Sequence, residues 1–180
     1  DDGRLDILGK PYNWDTPPVD VWLQNDTTTT PPYSLDSWTY IPADNSRAPS
    51  AFGNGTFGLG FGDLNGDGYQ DIVSGSYFYR NPGGSMVTVP WPRVTLPNDP
   101  ATNRSLDASL LLDVDGDGKK NDIIAEDLPN IIWLKANDPQ GNSWTPLVVA
   151  QMPQTLHGNG RTTKLAHIIP SNAKPDIVLS

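Results

Sequence analysis

Cysteine is absent from this 180-residue chain, which excludes disulfides, thiolate nucleophiles, iron–sulfur clusters and cysteine-ligated zinc. His157 and His167 are the only two histidines, too few for a histidine-rich metal centre. No apolar run approaches the ~18 residues of a membrane-spanning helix, so membrane insertion is not expected. Bases are in the minority, 12 Lys and Arg against 21 Asp and Glu, for a formal charge of −9. An acidic chain without a basic patch is ill suited to a phosphate backbone, so no nucleic-acid partner is expected. Glutamate is nearly missing as well, since Glu126 is the only one and every other acid is Asp. A solvated helical surface uses Glu freely, whereas Asp belongs to turns, caps and metal loops. With 17 Gly and 18 Pro, long helices are not expected either. What remains is 36% hydrophobic with six Trp, enough for a packed core.

An internal repeat organises the chain. Asp63-Leu64-Asn65-Gly66-Asp67-Gly68-Tyr69-Gln70-Asp71-Ile72-Val73 reads D-x-N-x-D-G-x-x-D-I-V. Asp113-Val114-Asp115-Gly116-Asp117-Gly118-Lys119-Lys120-Asn121-Asp122-Ile123 reads the same with one residue inserted. Asp2-Gly3-Arg4-Leu5-Asp6-Ile7-Leu8 is the second half of another copy, and Asp176-Ile177-Val178 keeps only the close of the motif. Trp38, Trp91 and Trp144 recur at intervals of 53, and an aromatic stretch (Val21-Trp22-Leu23, Tyr77-Phe78-Tyr79, Ile132-Trp133-Leu134) lies upstream of each. Three markers in one order, three times, describe a single repeat region over 1–180. Its units are about 50 residues long, the length of a propeller blade, with approximate limits 7–71, 72–122 and 123–176. Each unit predicts four short strands: before the acidic loop, after it, at the aromatic marker and after the spaced Trp. The equal spacing of Trp38, Trp91 and Trp144 reads as packing between units, because aromatic side chains dominate burial.

The acidic loop has the chemistry of a Ca²⁺ site. Calcium is a hard cation that takes six to eight oxygens, and a tight loop offers alternate side chains inward while Gly permits the turn. The expected ligands are Asp63, Asn65, Asp67, the Tyr69 carbonyl and Asp71 in one loop. In the other they are Asp113, Asp115, Asp117, the Lys119 carbonyl and Asp122, with Asn121 as the alternative for closing the ring. The incomplete copy offers Asp2 and Asp6. An EF-hand begins similarly but needs a bidentate Glu at its twelfth position, where these loops carry Ser74 and Ile124. A metal-free Asx turn is the other competitor, and it leaves several carboxylates crowded together. Without the nine acids assigned to loops, the chain has as many acids as bases, so the net charge is concentrated in them.

Gly58-Leu59-Gly60-Phe61-Gly62-Asp63-Leu64-Asn65-Gly66-Asp67-Gly68, followed by Asp71-Ile72-Val73, resembles the FG-GAP/VCBS repeat of integrin-α-like propellers. The resemblance implies an all-β fold of four-stranded antiparallel blades around an axis, with Ca²⁺ in a hairpin loop of each blade. It also implies a secreted or cell-surface location. About three blades are too few to close a ring of four to eight, and the chain opens inside a motif. A piece of a larger propeller is therefore expected, its partners being the parent's remaining blades or further copies of itself.

The function expected is a calcium-stabilised extracellular scaffold for adhesion or ligand binding, with a glycan or an extracellular protein as ligand. The alternatives are a lectin, using platforms such as Trp22, Trp38, Tyr77, Tyr79, Trp91, Trp133 or Trp144, and a non-catalytic part of a polysaccharide-lyase propeller. For catalysis the best local cluster is His157, Arg161, Lys164 and His167. It lacks a recognisable acid–base constellation, so no catalytic residue is assigned.

Overall fold

The computed structural model describes residues 7–9, 19–24, 38–46, 58–85, 89–152, 163–166, 168 and 176–179. Thirteen β-strands and one short 3₁₀ turn, Gly83–Ser85, make up the regular structure of these residues. The strands are β1 (Ile7–Gly9), β2 (Val19–Gln24), β3 (Trp38–Asp44), β4 (Gly60–Gly62), β5 (Asp71–Ser74), β6 (Tyr77–Tyr79) and β7 (Arg93–Thr95). They continue as β8 (Asp107–Leu112), β9 (Asp122–Asp127), β10 (Asn130–Ala136), β11 (Trp144–Gln151), β12 (Thr163–Ala166) and β13 (Asp176–Leu179).

The strands pair in sequence order into antiparallel meanders: β1-β2-β3, β4-β5-β6-β7, β8-β9-β10-β11 and β12-β13. The fold is all-β, and its two complete sheets each have the four strands the repeat predicts, in the predicted places. Acidic loops join β4 to β5 and β8 to β9, so each loop is the turn of the first hairpin in its sheet. Limits drawn at Asp71 and Asp122 therefore fall inside the sheets, which run from Gly60 to Thr95 and from Asp107 to Gln151. A hairpin turn cannot divide the strands it joins, so the sequence repeat and the sheets are out of phase.

Alternation along the middle sheet explains how the sheets stack. Successive strand residues point to opposite faces. Ile72 and Tyr79 pack with Val19, Val21, Ile41 and Ala43 of the first sheet, and with Trp91. Val73 and Phe78 point the other way, into a cluster with Leu111, Ile123, Ala125, Ile132, Leu134 and Trp144 of the third. Both faces of the middle sheet are thus covered, as in neighbouring blades. Trp91 and Trp144 are buried in these two clusters and Trp38 is half-buried, which agrees with the packing role read from their spacing.

Polar ties cross both junctions. Asp44 at the end of β3 is buried, and its Oδ2 accepts from the Tyr79 hydroxyl at 3.0 Å and from Arg93 Nη1 at 2.8 Å, both on the middle sheet. The Trp91 N–H donates to the Ala43 carbonyl at 2.8 Å. On the other side, the Ser76 hydroxyl donates to the Leu106 carbonyl at 3.0 Å. Arg80 Nη2 reaches the Gln140 carbonyl at 2.9 Å and Asn142 Oδ1 at 3.2 Å.

Candidate metal centre

Glycine at two positions lets each acidic loop fold back on its own first carboxylate. Gly66 and Gly68 have φ of 74° and 90°, and Gly116 and Gly118 have 80° and 87°. This left-handed region costs a side-chain-bearing residue about 1–2 kcal/mol. The turn aims backbone N–H groups inward. Asp63 Oδ1 accepts from Gly66 N at 2.8 Å and its Oδ2 from Gly68 N at 2.9 Å. Asp113 does the same with Gly116 N at 2.7 Å and Gly118 N at 3.0 Å. The next two side chains repeat the pattern. Asn65 accepts from Asp67 N and Asp115 from Asp117 N, while Asp67 accepts from Tyr69 N and Asp117 from Lys119 N. The loops are conformational copies despite the inserted residue.

The closing aspartates are part of the copy. Asp71 is fully buried and accepts from Leu64 N at 3.0 Å and Asn81 N at 2.8 Å. Asp122, also buried, accepts from Val114 N at 3.2 Å and Ala136 N at 2.9 Å. Asp122 is therefore the positional equivalent of Asp71. Asn121 corresponds instead to Gln70, since each offers its backbone carbonyl to a side-chain donor, Trp144 Nε1 at 3.2 Å and Asn81 Nδ2 at 2.9 Å. Burial is the largest influence on the Asp71 carboxyl and pushes its pKa up to about 6; the Asn81 and Leu64 N–H groups pull it down, and the Asp67 charge adds to the rise.

Carboxylate oxygens of Asp113, Asp115 and Asp117 lie within 4.8 Å of one another. Hard oxygen donors converging from one tight loop are the donor set a Ca²⁺ ion takes, so the residues fit the ion. Asp63, Asn65 and Asp67 form the counterpart in the first loop, with an amide in place of the middle carboxylate. Tyr69 is exposed and packs its ring against Gly83. Lys119 is exposed, with its Nζ 3.6 Å from Asp117 Oδ2. Asp2 and Asp6 lie outside the described residues, as do His157, Arg161 and His167.

One participant has no counterpart in the sequence motif. Lys135 on β10 places Nζ 2.9 Å from Asp115 Oδ2 and 5.3 Å from the centre of the Trp133 ring. The hydrogen bond from Lys135 is the main influence holding the Asp115 carboxyl below the usual carboxylate range. Aligning the aromatic stretches residue by residue would have exposed it, because Lys135 stands where the previous unit has Arg80. Between the two loops runs a groove of about 620 Å³, lined by Phe61, Asn65, Gln70, Leu111, Lys119 and Pro139 among others. Phe61 is 67% exposed there.

Four described acids outside the loops have structural partners. Asp127 is held by Arg104 at 2.7 Å and by Thr102. Asp99 accepts from Asn130 Nδ2 at 2.8 Å, and both are buried. Glu126 and Asp107 are buried partners across β8 and β9.

No characterised protein and no solved structure was found to match the chain. The family model described as the FG-GAP repeat matches residues 56–89, a stretch that holds the first acidic loop, β4, β5 and β6. Residues 56–89 thus match the FG-GAP repeat, and the sheet that follows has the same strand order and the same pattern of loop bonding.

Proposed function

We propose that the chain is a calcium-stabilised, extracellular propeller scaffold for adhesion or ligand binding, and that it works within a larger ring. The observation that carries this reading is the convergence of Asp113, Asp115 and Asp117 in a loop that repeats the main backbone-to-side-chain hydrogen bonds of the loop in the FG-GAP match. Calcium would be held by Asp63, Asn65, Asp67 and Asp71 in the first loop and by Asp113, Asp115, Asp117 and Asp122 in the second, with the Tyr69 and Lys119 carbonyls. Its role is structural: it offsets the crowded carboxylates and holds each hairpin turn. Extracellular free calcium is high enough to fill weak sites of this kind. Among the described residues no helix is long and apolar enough to cross a membrane.

The experiment is a calorimetric calcium titration of the chain and of Asp67→Ala and Asp117→Ala. Two sites are expected from these loops, each abolished by its own substitution; heats that neither substitution alters would remove the calcium reading.

A glycan ligand is the second reading, favoured by exposed aromatics on the described surface. Trp22 and Tyr40 are 40% and 46% exposed and meet at a tilt of 51° with ring centres 4.9 Å apart, and the Tyr40 hydroxyl donates to Asp20. Phe61 offers a second apolar face on the groove between the loops. A glycan array with no hits at high protein concentration would dispose of this reading.

A further inference from the structure

The two acidic loops share a backbone but differ in how their carboxylates are neutralised. In the first loop the middle side chain is Asn65, whose Nδ2 donates to Asp67 Oδ2 at 2.9 Å. A neutral amide stands between two acids. In the second loop the middle side chain is Asp115, so a third carboxylate joins the cluster. The donor there is the ammonium of Lys135, 2.9 Å from Asp115 Oδ2.

Register decides which residue of the first unit corresponds to Lys135. Ile72 pairs with Tyr79, and Ile123 pairs with Leu134, each directly after its closing aspartate. The residue that follows is Arg80 in one sheet and Lys135 in the other. Arg80 turns away from its own loop and donates to Gln140 and Asn142 of the neighbouring sheet. Lys135 turns towards its loop. The extra acid and the inward cation therefore occur in the same unit: Lys135 offsets the charge that Asp115 adds over Asn65, while Lys119, 3.6 Å from Asp117, is a looser, exposed second cation.

We propose that Lys135 is a tethered counter-ion of the second loop: it occupies Asp115 while the loop is free of calcium and must be displaced when the ion binds. This rests on the calcium reading given above. Both partners are partly open to water, at 44% and 26% exposure. Exposed ion pairs are weak, so a divalent ion competes the ammonium away and pays only part of its affinity. The Trp133 face beneath the ammonium keeps it near the loop after displacement. The consequence is that the two loops respond differently to calcium: Lys135 sets the affinity of the second and has no counterpart at the first.

The test is a calorimetric calcium titration of the 180-residue chain and of Lys135→Gln, Lys135→Arg and Lys120→Gln, with Asp117→Ala assigning the second site. Lys120 is exposed in the same loop and forms no ion pair among the described residues, so its removal controls for net charge. Lys135→Gln is expected to tighten the second site by about three- to tenfold and leave the first unchanged, from the loss of one charge at contact distance. Lys135→Arg returns the affinity towards that of the original chain, and Lys120→Gln shifts it less than about twofold, as a solvent-screened charge should. Melting gives an independent reading: Lys135→Gln melts lower in EDTA, where the carboxylates lose their counter-ion, and not lower in saturating calcium. An unchanged second site in Lys135→Gln, or an equal gain in Lys120→Gln, overturns the proposal while calcium binding stands. Calcium heats insensitive to both Asp67→Ala and Asp117→Ala overturn the calcium reading itself.

Discussion

Asp44→Ala tests how one sheet is fastened to the next. Asp44 is 2% exposed and receives four donors: Ser46 N at 2.7 Å, Ser46 Oγ at 2.8 Å, the Tyr79 hydroxyl at 3.0 Å and Arg93 Nη1 at 2.8 Å. Removing the carboxylate takes from the buried Tyr79 hydroxyl the acceptor it uses at 3.0 Å, in a side chain with no exposed surface. Arg93 is a third exposed and can turn to water, which discounts its share. An unpaired buried polar group costs about 1–3 kcal/mol, and breaking a buried charge pair from one side about 3–5 kcal/mol. Between these limits, Asp44→Ala should cost about 3 kcal/mol and lower the urea midpoint by roughly 1–3 M, given a slope of ~1–3 kcal/mol per molar. Tyr79→Phe alone should cost about 1 kcal/mol, the net worth of one hydrogen bond. The double substitution should cost less than the sum of the two, because the residues share a bond.

The acid limb of stability gives the same prediction a sign. Burial pushes the Asp44 carboxyl up, but the donors from Ser46, Tyr79 and Arg93 outweigh it and hold the group below its ordinary 3.8. A lowered carboxyl contributes stability that is present above the unfolded pKa and is lost as the pH falls through the folded one. Asp44→Ala should therefore show a flatter loss of stability below about pH 4 than the original chain, in line with that linkage. The assay is urea unfolding followed by tryptophan fluorescence from pH 7 to pH 2, at constant calcium. A cost below about 1 kcal/mol, or full additivity with Tyr79→Phe, would refute the tether and leave apolar packing alone to join the sheets.

Gly141→Ala should cost roughly 2–4 kcal/mol, combining a left-handed backbone with overpacking. Its φ is 66°, and an added Cβ would meet Leu64 Cδ2 at 2.1 Å, with Phe78 and Trp144 at 3.4 Å. Gly66→Ala, at φ 74° with nothing within 4 Å, should cost only the backbone share in the same denaturation assay; equal costs would show that the Gly141 contact does not matter. Removing calcium with EDTA at matched ionic strength should lower the melting temperature by about 5–10 °C for each site held near a hundred times its Kd. An unchanged melt would sink a structural role for the ion.

Local chemistry wrote much of this protein into its sequence. Alternating apolar residues beside Gly, Asn and Asp specify short strands and turns, because a two-residue period and a left-handed φ are demands on neighbouring residues alone. The acidic loops were legible for the same reason, down to the order of Asp63, Asn65 and Asp67, since each side chain bonds a backbone N–H two to five residues away. Equal spacing marked Trp91 and Trp144 as packing residues. Other features depend on contacts between units, and no local pattern records them. Only the bonding and register of the folded sheets made Asp122 rather than Asn121 the equivalent of Asp71. The tertiary structure alone gave Asp44 its partners 35 and 49 residues away, turned Arg80 outward to the next sheet and turned Lys135 inward onto Asp115. Sequence thus determined the repeat, its strands and its candidate ligands, through short-range geometry. Packing decided which charges face one another, because that depends on which sheet lies alongside and at what register.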